Sequence, residues 1–456
     1  MNTVYIRLAP PEMISHYFFR NRISPSSCIS LNSLDRALRS RFRDSAICYR
    51  SKGILYLPLM PNLNEILMSD SEMRRQCYTD DGNFAAIPII RVIGDGHQPQ
   101  GAWFGYTIRK DWLDELDMEM PTTYDELETV MEAMQDKYPT AKNPMFLSGG
   151  FTGSGLPFAD PVLYGGYNVT EDWMQIDGEV KYSPLEDGYR DYIEMIHSWM
   201  EKGLIERDYT SNFVPWPDTV VEADDPYGVF PMIYTWYDGY KAANPSAAFD
   251  VEALSPLQID ADTPAHIGIS DPMATPMGAI SSDSEYAEII CQWWDYLFGE
   301  EGITLGNWGV EGITYEETEN GEKTWIGPFL NPDNDPGFDL SMVQWQYLVY
   351  NMPGYIQADR EYCLVDDKAL SFIDAWDQSD CAYNYPASAT MTAEENETYA
   401  TLYSDIQTLV TERTLQFIMG EADMAQWDDF VAEVEGMGID EVIGYKQAAL
   451  DRYNRR

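Results

Sequence analysis

From Gly53 onward the chain alternates capped amphipathic helices with short apolar, β-rich stretches, and no repeat period relates them. That order selects a mixed α/β fold. Thr123 opens a helix with Glu126 three residues on, the spacing of a capping box. Leu127, Val130, Met131 and Met134 then recur at helical spacing. "PLEDGYRDYIEMIHSWMEKG" predicts a second helix, with Tyr192, Ile193, Ile196 and Met200 inward and Gly203 as the stop. Ser282 with Glu285 caps a third, running through Ile289, Ile290, Trp293 and Leu297 to Gly299. Thr392 with Glu395 opens a long fourth that ends near Met419-Gly420, and "MAQWDDFVAEVEGMG" and "IDEVIGYKQAALDRYNRR" close the chain as two more. The β-rich stretches fall at 86–93, 226–234 and 249–254, the first fed by a turn at Asp80-Asp81-Gly82.

A chain of 456 residues is too long for one compact core and suits two lobes or more. Its net charge of −47 repels nucleic-acid phosphates and anionic membranes, so DNA, RNA and membrane-surface roles are excluded. The charge suits an acidic, solubilising coat. No apolar run is long enough to span a bilayer, and residues 1–30 lack the apolar core and cleavage site of a secretory signal. Cys28, Cys48, Cys77, Cys291, Cys363 and Cys381 form no CxxC pair, which excludes a zinc ribbon or a thioredoxin-like motif. Cys363 and Cys381 are either a disulfide or, the favoured reading, two sparse buried thiols. His16, His97, His197 and His266 show no HExxH or HxH spacing, so neither a histidine metal site nor a catalytic triad is expected, and no cofactor is expected. The abundance of Trp and Tyr suits core packing together with a wet, stacking-type site.

Composition breaks sharply at the amino end. Residues 1–53 carry nine basic and three acidic side chains, a balance of +6, whereas the remaining 403 carry 20 basic and 73 acidic, a balance of −53. The segment reads as a transit peptide or as a misread start, and is expected to be disordered or poorly packed.

Four phrases, in order, resemble extracellular solute-binding proteins of family 1, especially the large lipoproteins of Gram-positive bacteria. They are "IRKDWLDELDMEMPTTYDEL" (108–127), "DGEVKYSPLEDGYRDYIEMIHSWMEKGLIERDY" (177–209), "LGNWGVEGITYE" (305–316) and "FIMGEADMAQWDDFVAEVEGMGIDEVIGYKQAALDRY" (417–453). The resemblance covers roughly residues 54–456. It implies a two-lobed, periplasmic-binding-protein-like (type II) α/β fold with a hinge. Lobe one would be partial, built from 54–107 and 268–330, and lobe two would be 108–267 with 331–456. Members begin with a lipoprotein signal and about three strand–helix units, which 1–53 does not resemble; this favours the misread start. Some members also carry an acidic calcium loop, but "DKYPTAKNPMF" (136–146) lacks its carboxylates, so no metal site is carried over.

The chemistry implied is reversible capture of a solute by lobe closure, with no bond broken. Sugar rings offer flat faces to aromatic side chains and hydroxyls to polar ones. The candidate ligand-binding residues are therefore Trp103, Trp216, Trp236, Tyr237, Asp238, Trp308, Glu311 and Tyr315. For each the competing reading is packing: for Trp236 a buried strand-to-helix turn, and for the Gly309–Gly312 loop a support of the fold. "SGGFTGSG" (148–155) does not match a phosphate loop. "NPDNDPGFD" (331–339) lacks the bidentate glutamate of a calcium loop.

The expected function is thus the extracytoplasmic solute-binding component of an ABC importer, a monomer taking an oligosaccharide or similar polar solute and meeting separate ABC permease subunits. It would be extracellular and lipid-anchored in its full-length form, and not an enzyme. The competing readings are a secreted carbohydrate-active enzyme and a solute receptor feeding a membrane sensor.

Overall fold

The computed structural model describes residues 57–84, 86–92, 103–138, 143–149, 154–212, 217–221, 227–244, 246–260, 262–269, 273–281, 284–326, 348, 352–357, 359–362 and 367–456. The expectations for residues 1–53, for Cys28, Cys48 and Cys363, and for the acidic stretch 331–339 lie outside the described residues. The strands are β1 (Ile87–Val92), β2 (Phe104–Arg109), β3 (Trp173–Ile176), β4 (Glu179–Tyr182), β5 (Val229–Ile233), β6 (Val251–Ala253), β7 (Ala274–Gly278), β8 (Tyr315–Glu317), β9 (Lys323–Trp325) and β10 (Gly354–Gln357).

The chain divides into two compact units. One holds the described residues up to Arg91, Met273–Ile356 and Arg456; the other holds Val92–Pro272 and Gln357–Arg455. These limits differ from the sequence-level division, which ended a lobe at 107. Strand β2 crosses that point without a break, because its neighbours on both edges, β5 and β6, belong to the second unit.

In the first unit a three-stranded sheet runs β10-β1-β7, with β1 antiparallel to β7. Helix Ser71–Cys77 lies on β7, and the Gln76 side-chain oxygen takes the Ala274 amide at 2.9 Å. Asp70 caps that helix through the amides of Glu72 and Met73. Gly82 holds a positive φ of 71° in the expected turn at 80–82. The third predicted helix needs correction. It spans Ala287–Tyr296 with Tyr286 at its N-cap; Ser282 lies outside the described residues. Its inward residues are Cys291, Trp294 and Asp295, and Leu297 just past its end is buried as expected, while Ile289 and Trp293 are 64% and 48% exposed. The helix is rotated to this phase by Asp295, whose carboxylate accepts the Leu63 amide at 2.9 Å and the Asn62 side-chain amide at 3.0 Å. Cys77 and Cys291 are buried thiols, and burial pushes Cys77 up to about 12.

In the second unit β2 is the central strand of β5-β2-β6 and is buried at every position. Gly105 is required there: a Cβ would stand 2.5 Å from the Trp376 ring. That indole donates to the Tyr106 carbonyl at 2.9 Å and so locks helix Asp367–Trp376 across the sheet. Arg109, at the end of β2, is buried, holds Asp111 through two hydrogen bonds of 2.6 and 2.7 Å, and lies between the Trp112 and Phe249 rings.

The capping boxes form as the sequence predicts. Thr123 and Glu126 start helix Tyr124–Lys137, and Thr392 and Glu395 start the 27-residue helix Ala393–Met419, which ends at Gly420 with φ 71°. Tyr192, Ile193, Ile196 and Met200 of helix Asp187–Glu201 are buried, each large side chain contributing about 1.5–3 kcal/mol. Helix Ile439–Tyr453 is clasped to the β3–β4 hairpin by Gln447, which accepts from the Val180 amide and donates to the Gly178 carbonyl. Cys381 carries a free, half-buried thiol.

Candidate functional site

The candidate residues of the second unit gather by register. Phe104 of β2 pairs with Ile233 of β5, so Trp103 and the turn Tyr234–Trp236 emerge from the same end of the sheet. The Tyr234 amide donates to the Trp103 carbonyl at 3.3 Å and ties the two together. Trp103 is 43% exposed. Trp236 is half-buried, its ring stacked 6.4 Å from that of Tyr240. Asp238, on the first turn of helix Tyr237–Ala243, is exposed.

Tyr237 differs. It is buried, its hydroxyl donates to Asp250 at 3.0 Å, and its ring meets Phe372 edge-on. It braces the sheet end and does not present a face to solvent. Trp216 lies outside the described residues.

In the first unit the loop after helix Glu300–Trp308 is tightly built. Gly309 has φ 79°, and a Cβ there would approach the Thr314 hydroxyl to 2.5 Å. That hydroxyl donates to the Trp308 carbonyl at 2.6 Å and accepts from the Val310 amide at 2.7 Å. The Gly312 amide closes the turn on the Tyr315 carbonyl. The consequence is a burial that the sequence does not report. Trp308 and Tyr315 are interior: the Trp308 ring packs 4.7 Å from Trp325 and 6.0 Å from Tyr315. Burial, with Glu311 and Glu317 nearby, raises the Tyr315 hydroxyl. The loop's outward residues are Val310, Glu311 and Ile313, of which the sequence singled out Glu311 alone. The missed signal is local: the residues flanking Gly312 sit on a turn, and turn tips face water.

Among the described residues most other aromatics are absorbed by packing. Trp173, Tyr385 and Tyr399 surround the Lys446 ammonium at 5.0–5.3 Å, so this three-ring cage is already filled by the chain's own cation. Among the described residues no group of His, Cys, Asp and Glu is placed to hold a metal ion, and no helix is long and apolar enough to cross a membrane.

No family model matches the sequence. A curated relative, the fructooligosaccharide ABC transporter substrate-binding protein FusA of Streptococcus pneumoniae, is 24% identical over 420 residues, covering 86% of this chain and 74% of the relative. The chain is a homologue of ABC-transporter substrate-binding proteins. Lipoprotein LipO of Bacillus subtilis is 20% identical over 340 residues, 71% of this chain and 64% of the relative. A solute-binding protein of Bifidobacterium longum infantis, described as HMO-binding and ABC-transporter-associated, superposes with a TM-score of 0.69 at 18% identity, covering 87% of this chain and 82% of the other. The fold is accordingly that of the two-lobed solute-binding proteins. The loop Gly309–Tyr315 and the sheet end at Trp103 and Trp236 are irregular segments borne on regular elements, the kind of place where binding side chains are commonly carried.

Proposed function

We propose that this chain is the extracytoplasmic solute-binding component of an ABC importer, capturing an oligosaccharide or similar polar solute by lobe closure and delivering it to ABC permease subunits. The observation that carries the reading is the 420-residue relation to a fructooligosaccharide-binding protein. The relation to a lipoprotein supports a lipid-anchored location outside the cell. Binding without bond cleavage is the chemistry proposed, since the relatives are substrate-binding proteins.

Within the second unit Trp103 and Trp236 would stack on sugar rings and Asp238 would accept their hydroxyls. Within the first unit Glu311 is the polar group the loop presents. Trp308, Tyr315 and Tyr237 hold these in place.

The test is a panel of oligosaccharides, acidic and neutral, screened by thermal shift and followed by calorimetry, with the sugars analysed by chromatography afterwards. Saturable stabilisation with the sugars recovered intact is the expected result. Turnover of any panel member would overturn the reading in favour of an enzyme, and no stabilisation across the panel would overturn the assignment to oligosaccharides.

A further inference from the structure

Asp160 is 1% exposed in the second unit. It sits at the N-cap of the short helix Pro161–Tyr164, where one carboxyl oxygen accepts the Val162 amide at 2.9 Å. The other oxygen is buried with no hydrogen-bond partner among the described residues. Three elements face it. Strand β2 brings the Tyr106 amide, the helix itself brings Tyr164, and Tyr192 comes from helix Asp187–Glu201, the Tyr106 and Tyr192 hydroxyls donating to the carbonyls of Phe146 and Pro157. None of these is a cation, and their hydroxyls are themselves driven up by burial. A buried carboxylate that meets two backbone amides, only the Val162 one in good geometry, and no cation among these groups is costly, and the group responds by keeping its proton. Burial pushes the Asp160 carboxyl up to about 7, the two amides opposing this only in part.

What hangs on Asp160 is a structural join. The Val162 carbonyl, two residues on, accepts the Leu257 amide at 3.1 Å. The following turn packs so closely that a Cβ on Gly166 would meet the Leu257 carbonyl at 2.0 Å. The Tyr192 hydroxyl pins the approach by donating to Pro157. Residues 157–166 are therefore fixed to helix Asp187–Glu201 and to the segment after β6 around this one carboxyl.

We propose that Asp160 is a proton-controlled anchor: neutral, it holds segment 157–166 against the second unit, and its ionisation loosens that segment. The sign follows from linkage. A carboxyl whose folded pKa lies above its unfolded one contributes stability that is complete below the unfolded value and is lost as pH rises through the folded value. The window here runs from about pH 4 to about pH 7 and slightly beyond.

The test uses the full chain and its Asp160→Asn and Asp160→Ala forms, melted at steps between about pH 5 and about pH 8.5. So acidic a chain loses stability at high pH through general repulsion as well; subtracting the Asn form removes that common slope. The expected result is a wild-type Tm that falls several degrees more than that of Asp160→Asn over the window. Amide exchange over 157–166 should rise with pH beyond its intrinsic rate in the wild type alone. Should both variants fail to fold, the wild type still decides: its infrared difference spectrum between low and high pH should contain a protonated carboxylic acid lost near neutrality. Parallel Tm slopes in wild type and Asn form, or the absence of that acid band, would overturn the proposal.

Discussion

Asp295 and Leu63 are 232 residues apart, and the Asp295 carboxylate accepts the Leu63 amide at 2.9 Å. Helix Pro61–Ser69 has Met60 at its N-cap and no side-chain cap of its own. Asp295, arriving from helix Ala287–Tyr296, supplies the missing acceptor and also takes the Asn62 side chain. A helix start thus depends on a residue remote in sequence, and the orientation of a second helix depends on meeting it.

Replacing Asp295 by Ala leaves buried donors at that helix start unpaired. The expected cost is about 2 kcal/mol, read from denaturant unfolding of the first unit. Asp295→Asn should cost less, because an amide oxygen can still accept one of the bonds. An Ala form as stable as the wild type would mean the cap contributes nothing.

The same rotation separates two adjacent tryptophans. Trp294 is 7% exposed and Trp293 48%. Trp294→Ala should destabilise by about 3–5 kcal/mol through the cavity it leaves, and Trp293→Ala by under about 1 kcal/mol. Equal costs would show that the outward face of Tyr286, Ile289, Trp293 and Tyr296 is in fact covered.

Helix starts governed by local chemistry were legible in the sequence. Thr123 with Glu126 and Thr392 with Glu395 form their capping boxes as spacing requires. The phase of helix Ala287–Tyr296 was only partly legible: Leu297, just past its end, is buried as read, but Ile289 and Trp293 satisfy the helical period as well as the inward Cys291, Trp294 and Asp295 do. A buried carboxylate chose between them, and periodicity assigns acidic residues to the outside. The candidate site divides for a related reason. Trp308 and Tyr315 flank a glycine-rich loop and read as ligand contacts, but Trp325 reaches their rings from strand β9, a pairing no local pattern reports. Tyr237 is taken inward by Asp250 and Phe372 in the same way.

That distinction predicts how binding variants will behave. Trp103→Ala should weaken oligosaccharide affinity about tenfold, the loss of one stacking contact, with Tm unchanged. Trp236→Ala should lose affinity similarly and some stability as well, because its ring also packs on Tyr240. Tyr237→Phe should do the reverse, costing about 1 kcal/mol of stability while affinity holds. Calorimetry and thermal melts on the three variants check this. A large affinity loss in Tyr237→Phe would return that hydroxyl to the binding surface.

The last prediction concerns acid. Arg452, near the end of helix Ile439–Tyr453, donates to both carboxylate oxygens of Glu395, at 2.9 and 2.6 Å. Glu395 is also the third residue of its capping box, accepting from the Thr392 amide at 2.8 Å. The Arg452 hydrogen bonds, followed by the Thr392 amide, hold its carboxyl below the usual glutamate value. A depressed folded pKa contributes stability that is present above the unfolded value, about 4.5, and is lost as pH falls through the folded one. Arg452→Met keeps the helix and its stem contacts but removes the larger cause, so stability at neutral pH should fall by the contribution of the pair and the acid-unfolding midpoint should move to higher pH. Glu395→Gln keeps a capping acceptor and abolishes the titration, so the further change Arg452→Met should then have no effect on the acid limb. A double-variant cycle followed by circular dichroism from about pH 7 down to about pH 2 reads both effects. Additive shifts in that cycle would show that the two residues act on acid stability independently and that the ion pair does not couple the helices.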